Sequence, residues 1–209
     1  MTLPYPQLKT ILERLKNETK ILNIRIHTRA LIYLPKVFTK EICKILSDAK
    51  VRVVHHIIHP YEICEKVISK IKMMNDFKIR SYNQFPVLAG INDHVEVLKL
   101  LLIKLDNLGI RNLSIFLPDP VNYSATFRMP LKNFFLIMDK LFFETPSWIN
   151  STRFTLDSVY GKFRREDLIK IDKKTGIATF KRDGKIIKYP DLPSHFYKPG
   201  KLKTLLWKS

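Results

Sequence analysis

The chain has 209 residues, 45% hydrophobic and 27% charged, a balance that supports a well-buried folded domain and excludes a disordered chain. Its formal net charge is +18, but Lys and Arg are spread through nearly every segment. There is no dense basic arm and no stacked-aromatic pattern of an RNA-binding sheet, so solvated helix faces explain the charge better than a nucleic-acid site. Two cysteines, Cys43 and Cys64, exclude a disulfide framework, a four-thiolate zinc site and a three-cysteine iron–sulfur site, and read as structural thiols. No apolar run reaches membrane-spanning length and the first residues, MTLPYPQLKTILERLK, carry no secretory pattern, so the chain reads as cytoplasmic with no membrane partner.

In chain order, helix-period segments alternate with short β-rich runs. Helices are expected at Tyr5–Asn17, Thr39–Ala49, Pro60–Met74, Asp93–Leu108 and Pro130–Phe143. Strands are expected between them at Ile21–Ile26, Val51–His55, Lys78–Leu88 and Leu113–Leu117. Thr39 ahead of Glu41 and Ile42, and Asn92-Asp93 ahead of HVEVLKLLLIKL, are N-cap signals, while Gly109 marks a helix end. Strands separated by helices imply parallel pairing through right-handed crossovers. After Glu144 the period changes: Asp183-Gly184, inside GIATFKRDGKIIKYP, predicts a hairpin. There is no repeat and no low-complexity tract. The fold expected is α/β, a partial (β/α) barrel of parallel strands over residues 1–145 with a C-terminal segment, 146–209, that carries the hairpin.

In parallel α/β folds ligands gather where strands end, so the residues after each strand carry the functional information. They are His27, Thr28 and Arg29; His55, His56 and His59; Asn83 and Gln84; and Asp119. His55 and His56 point to opposite sides of a strand and His59 lies beyond it, which argues against a zinc site, and no metal ligands are assigned.

The runs RIHTRALIYLP, HHIIHPYEI, SYNQFPVLAGINDHVEVLKLL, LPDPVNYSATFRMP and FTLDSVYGK, in this order, resemble the second half of the lysine 2,3-aminomutase family, radical S-adenosylmethionine enzymes that also carry pyridoxal phosphate. The resemblance runs from about Leu8 to Pro190, and from His56 through Gln84 to Asp119 the spacing matches without a gap. It implies that residues 1–145 are a partial radical-SAM-type barrel and that Lys162 is the catalytic lysine, which forms a Schiff base with pyridoxal phosphate. Arg164 and Arg165 are nearby cations of the kind that favour an uncharged amine. The same resemblance implies that Asp119 and Asp157 hold the distal ammonium of a lysine substrate, that His56 and Gln84 contact S-adenosylmethionine, and that Lys162 faces the same cavity as the two aspartates. The implied reaction is migration of an amino group to the neighbouring carbon of lysine or a related amino acid.

Two departures stand out. SVYGK is shorter and poorer in glycine than the run that precedes the family's lysine, and nothing in the chain supplies the three-cysteine motif that ligates the family's 4Fe-4S cluster. The chain therefore reads as truncated and inactive alone. An opened parallel sheet exposes an edge and an apolar face, so a partner is expected, either a separately encoded N-terminal half or a second copy. The alternative is a non-catalytic remnant or a basic binding module.

Overall fold

The computed structural model describes residues 5–18, 20–21, 23–149 and 151–207. Its elements follow the order α1 (Tyr5–Asn17), β1 (Arg25–Thr28), α2 (Ala30–Tyr33), α3 (Lys40–Asp48), β2 (Arg52–His55), α4 (Glu65–Asp76), β3 (Arg80–Pro86), α5 (Val95–Asn107), β4 (Arg111–Phe116), α6 (Leu131–Glu144), β5 (Arg153–Ser158), β6 (Gly161–Phe163), β7 (Leu168–Asp172), β8 (Ile177–Arg182), β9 (Lys185–Pro190) and α7 (Leu202–Leu205). One sheet holds β1 to β6 in chain order, and a second holds β7, β8 and β9. The pairs β1–β2, β2–β3 and β4–β5 are parallel, whereas β5–β6, β7–β8 and β8–β9 are antiparallel. The α/β class, the parallel strands in sequential order and the C-terminal hairpin are as read from the sequence.

The chain divides into two compact units, Met1–Gln84 with Lys104–Asn112, and Phe85–Ile103 with Leu113–Ser209. In the first, β2 presents Val53 and Val54, and the buried core includes Leu31, Phe38, Leu46, Ile57, Ile71 and Met74. Thr39 caps α3, its hydroxyl accepting the Ile42 N–H at 3.3 Å, as its position ahead of an amphipathic run predicts. The helix expected at Pro60–Met74 is interrupted: a 3-10 turn covers Pro60–Glu62, whose N–H groups His59 helps to satisfy, and α4 begins at Glu65. Leu22, in the strand expected at Ile21–Ile26, lies outside the described residues, and β1 begins at Arg25.

Three helix ends within this unit are alike. After α3, α4 and α5 a residue in the left-handed region, Lys50 (φ 51°), Lys78 (φ 56°) or Gly109 (φ 73°), turns the chain. The next N–H, of Val51, Ile79 or Ile110, then bonds back to the carbonyl of Leu46, Met74 or Leu105. A short local repeat, absent from the sequence reading, thus runs at the turns into β2, β3 and β4.

In the second unit, Phe134 and Phe135 of α6 pack on Phe154 of β5 with ring centroids 5.0 and 5.5 Å apart. Asp183 (φ 47°) and Gly184 (φ 74°) form the two-residue turn between β8 and β9, with Arg182 opposite Lys185. Asp93, expected to cap α5, instead turns its carboxylate to Gly90, to the Tyr197 hydroxyl at 3.0 Å and to the Gly200 N–H, which fastens the C-terminal segment. It is His94 Nδ1 that meets the Glu96 N–H.

Candidate functional site

Two groups of polar side chains correspond to the residues singled out in the sequence, one in each unit. In the first unit the side chains at the ends of β1, β2 and β3 converge. Gln84 Nε2 lies 3.2 Å from His27 Nδ1 and 3.3 Å from His56 Nε2, and the two imidazoles meet edge to face at 6.0 Å. Period-two alternation explains the selection: His27, His56 and Gln84 fall on one face, while His55 and Asn83 fall on the other and are fully buried. Asn83 clasps the chain after β2, accepting from Ile57 N–H at 2.8 Å and donating to Ile57 O at 3.0 Å. Burial, then the nearby His27 and Arg29, lower the pKa of His56, which keeps its ring neutral at neutral pH. Arg29 is held by Glu62 at 2.6 Å, and Glu62 also accepts the Ile58 N–H, so the segment after β2 is fixed beside His56.

In the second unit Asp119, after β4, and Asp157, on β5, line one cavity of about 320 Å³ together with Val159, Ile187, Lys188 and Tyr189. Asp119 keeps contact with solvent, yet desolvation of its carboxyl, and then the charge of Asp157, raise its pKa above the ordinary carboxylate value. The cavity thus holds two acceptor-only carboxylates beside one lysine, Lys188. The backbone around Asp119 is tied down from a distance. The Tyr189 hydroxyl on β9 donates to Pro118 O at 3.0 Å and accepts from Arg128 Nε at 3.3 Å, while the Arg128 guanidinium also lies over the Tyr189 ring and donates to Pro190 O. Arg128 and Tyr189 both fall inside runs quoted from the sequence, but 61 positions separate them and nothing in either run pairs one with the other.

Lys162 lies on β6, in register with Asp157 across the β5–β6 hairpin. It lines a different cavity from the two aspartates, one of about 380 Å³ shared with Tyr160, Arg164, Arg182 and Lys185. The separation has a local cause: the Lys162 ammonium lies over the Phe116 ring, 4.7 Å from its centroid. Among the described residues no carboxylate is within ion-pair range of Lys162. Of the two cations named in the sequence, Arg164 lines this cavity, whereas Arg165 is paired with Asp139 and stacked over Phe135. Arg182 donates to Lys162 O at 2.9 Å, which occupies one carbonyl of a strand at the sheet's edge.

Cys43 is buried on α3, where burial pushes its thiol up to about 11, and Cys64 is exposed at the start of α4. Among the described residues no group of three or more His, Cys, Asp or Glu is placed to hold a metal ion, and no helix is long and apolar enough to cross a membrane.

No family model matches the chain. Over part of its length it resembles curated proteins named L-lysine 2,3-aminomutase. The Haemophilus influenzae protein is 31% identical over 123 residues, 58% of this chain and 36% of that protein. The Buchnera aphidicola protein is 32% identical over 137 residues, 65% of this chain and 40% of that protein, and that of Clostridium subterminale is 29% identical over 135 residues, 64% and 32%. The chain spans well under half the length of the curated relatives it matches.

Proposed function

We propose that this chain carries the cofactor lysine and the substrate clamp of an aminomutase acting on lysine or a related amino acid. The observation that carries the reading is the cavity lined by Asp119 and Asp157, whose paired carboxylates suit an alkylammonium. The side chains present fit pyridoxal phosphate: Lys162 offers a primary amine without an acidic partner among the described residues, and Lys185, together with Arg164 and Arg182, which also pair with Glu166, Asp167 and Asp183, offers cations to a phosphate in the same cavity. When bound, pyridoxal phosphate supplies the conjugated ring through which an amino group can migrate. Lys162 Nζ holds it, Asp119 and Asp157 orient the far ammonium of the substrate, and Tyr189 keeps the backbone at Asp119 in place. The bonded trio of His27, His56 and Gln84 supports the assignment of His56 and Gln84 to S-adenosylmethionine.

The side chains do not fit an iron–sulfur cluster, since two cysteines on separate elements cannot supply three ligands. Radical generation is therefore assigned to a segment outside these residues that carries three cysteines, whether a separate polypeptide or further chain, and no step is derived through the cluster. The decisive experiment is borohydride trapping with pyridoxal phosphate followed by peptide mass mapping. A covalent adduct at Lys162, lost in Lys162→Ala, is expected; tight uptake by the alanine variant would overturn the assignment. A second expected outcome concerns pH. Because Asp119 titrates above its ordinary value, binding of lysine weakens on acidification before an unperturbed carboxylate would protonate, and Asp119→Asn removes that early loss, as calorimetry at a series of pH values would read.

A further inference from the structure

The turns that lead into the first four strands read Asn23-Ile24-Arg25, Lys50-Val51-Arg52, Lys78-Ile79-Arg80 and Gly109-Ile110-Arg111. The central residue is buried in the last three, and the arginine opens the strand in all four. Parallel register sets Arg25 beside Arg52 and Arg52 beside Arg80, so like charges leave one face of the sheet on adjacent strands, about 5 Å apart. Such a row is unfavourable on its own. Lys50 and Lys78 add to it from left-handed positions that L side chains avoid, and at the equivalent place the third turn uses Gly109.

Lys16, Lys50, Arg52, Lys78 and Arg80 line a single cavity of about 660 Å³ at the starting ends of the strands. The trio of His27, His56 and Gln84 stands at their other ends. The lining also holds a carboxylate, Asp48, which pairs with Lys44 at 3.5 Å and leaves the five cations in excess. Among the described residues none of these five cations, nor Arg25, has a carboxylate within ion-pair range.

We propose that this cavity binds a small anion carrying two or more linked phosphoryl groups. One phosphate meets cations of one strand start, whereas linked groups bridge the starts of β2 and β3 and meet Arg52 and Arg80 together. The arginines present planar forks to phosphoryl oxygens, and the lysines close in as mobile point charges. A concave mouth of this volume suits a compact oligoanion better than the convex backbone of a duplex. No residue of this cavity belongs to the proposed aminomutase site, so loss of oligophosphate binding and loss of pyridoxal phosphate binding are separable.

The test is calorimetric titration of the full chain with inorganic tripolyphosphate at fixed ionic strength. Wild type should bind it at least about tenfold tighter than orthophosphate. Arg52→Gln with Arg80→Gln should weaken binding by at least about tenfold. Lys50→Gly with Lys78→Gly should weaken binding similarly while raising the unfolding temperature of the free protein, a pairing of effects that misfolding cannot produce. Lys173→Gln with Lys174→Gln, on the exposed turn between β7 and β8, should bind as wild type. Equal loss in that control, or no preference for tripolyphosphate over orthophosphate, would reduce the effect to net charge and overturn the site. A duplex oligonucleotide that binds tighter than tripolyphosphate, and is weakened by the same substitutions, would replace it with a nucleic-acid surface.

Discussion

His55 and His56 are neighbours in sequence with opposite environments. His56 joins the polar trio at the strand ends, whereas His55 is fully buried, and neither of its ring nitrogens has a hydrogen-bond partner among the described residues. Burial, followed by the charge of His56, lowers its pKa to about 3. The unfolded chain takes up a proton near the ordinary value of about 6.5, which the folded state refuses until far lower pH. Stability linked to His55 is therefore complete above about pH 6.5 and is lost progressively as the pH falls toward about 3. His55→Leu keeps an apolar filling beside Phe38 and removes two unsatisfied nitrogens, whose desolvation costs about 1–3 kcal/mol. Urea unfolding should find the variant more stable than wild type, with the larger gain at about pH 5 than at about pH 8. A loss of stability at both, with an unchanged pH slope, would mean that the ring has a partner. From the sequence the two histidines could be placed on opposite faces of a strand, but which face is the core depends on side chains from distant segments.

At the scale of elements, turn chemistry decided what could be read. The Asp183-Gly184 turn and the Thr39 cap were legible because each satisfies a local backbone requirement with the residue best suited to it. Gly184→Ala meets no atom within 4 Å, so its cost, about 1–2 kcal/mol, is purely that of a β-carbon at φ 74°. Thr39→Ala should cost about 1 kcal/mol through the lost cap. Denaturant unfolding measures both, and a neutral Gly184→Ala would mean that the turn relaxes to another conformation. The β5–β6 hairpin was not legible. Its loop residues, Val159 and Tyr160, carry no turn signal, since the left-handed residue is Gly161 (φ 97°), one position later. Lys162 therefore looks like a loop residue in sequence although the ladder fixes it opposite Asp157. The row of arginines was hidden for the same reason: register, which brings Arg25, Arg52 and Arg80 side by side, is set by pairing between segments.

Over the whole molecule the formal charge of +18 leaves repulsion that the acidic residues cannot offset. Several ion pairs, such as Lys9–Glu13 and Lys44–Asp48, join exposed side chains and are each worth about 0–1 kcal/mol. The better-shielded pairs Arg29–Glu62 and Lys99–Glu144 fix local segments and leave the row at the strand starts unneutralised. Added salt screens both signs of interaction, with a Debye length that falls to about 8 Å near physiological ionic strength. Because among the described residues cations outside ion pairs outnumber the exposed pairs, relief of repulsion should outweigh the loss of attraction, and the unfolding temperature should rise with potassium chloride. A fall would mean that the surface pairs dominate. The size of the rise also separates bulk charge from the row on β1, β2 and β3. Screening acts on every cation, so Lys173→Gln with Lys174→Gln should flatten the salt dependence about as much as any other pair of exposed lysines. Arg52→Gln with Arg80→Gln removes two cations in register on adjacent strands that line one cavity, where repulsion is concentrated, and should flatten it more.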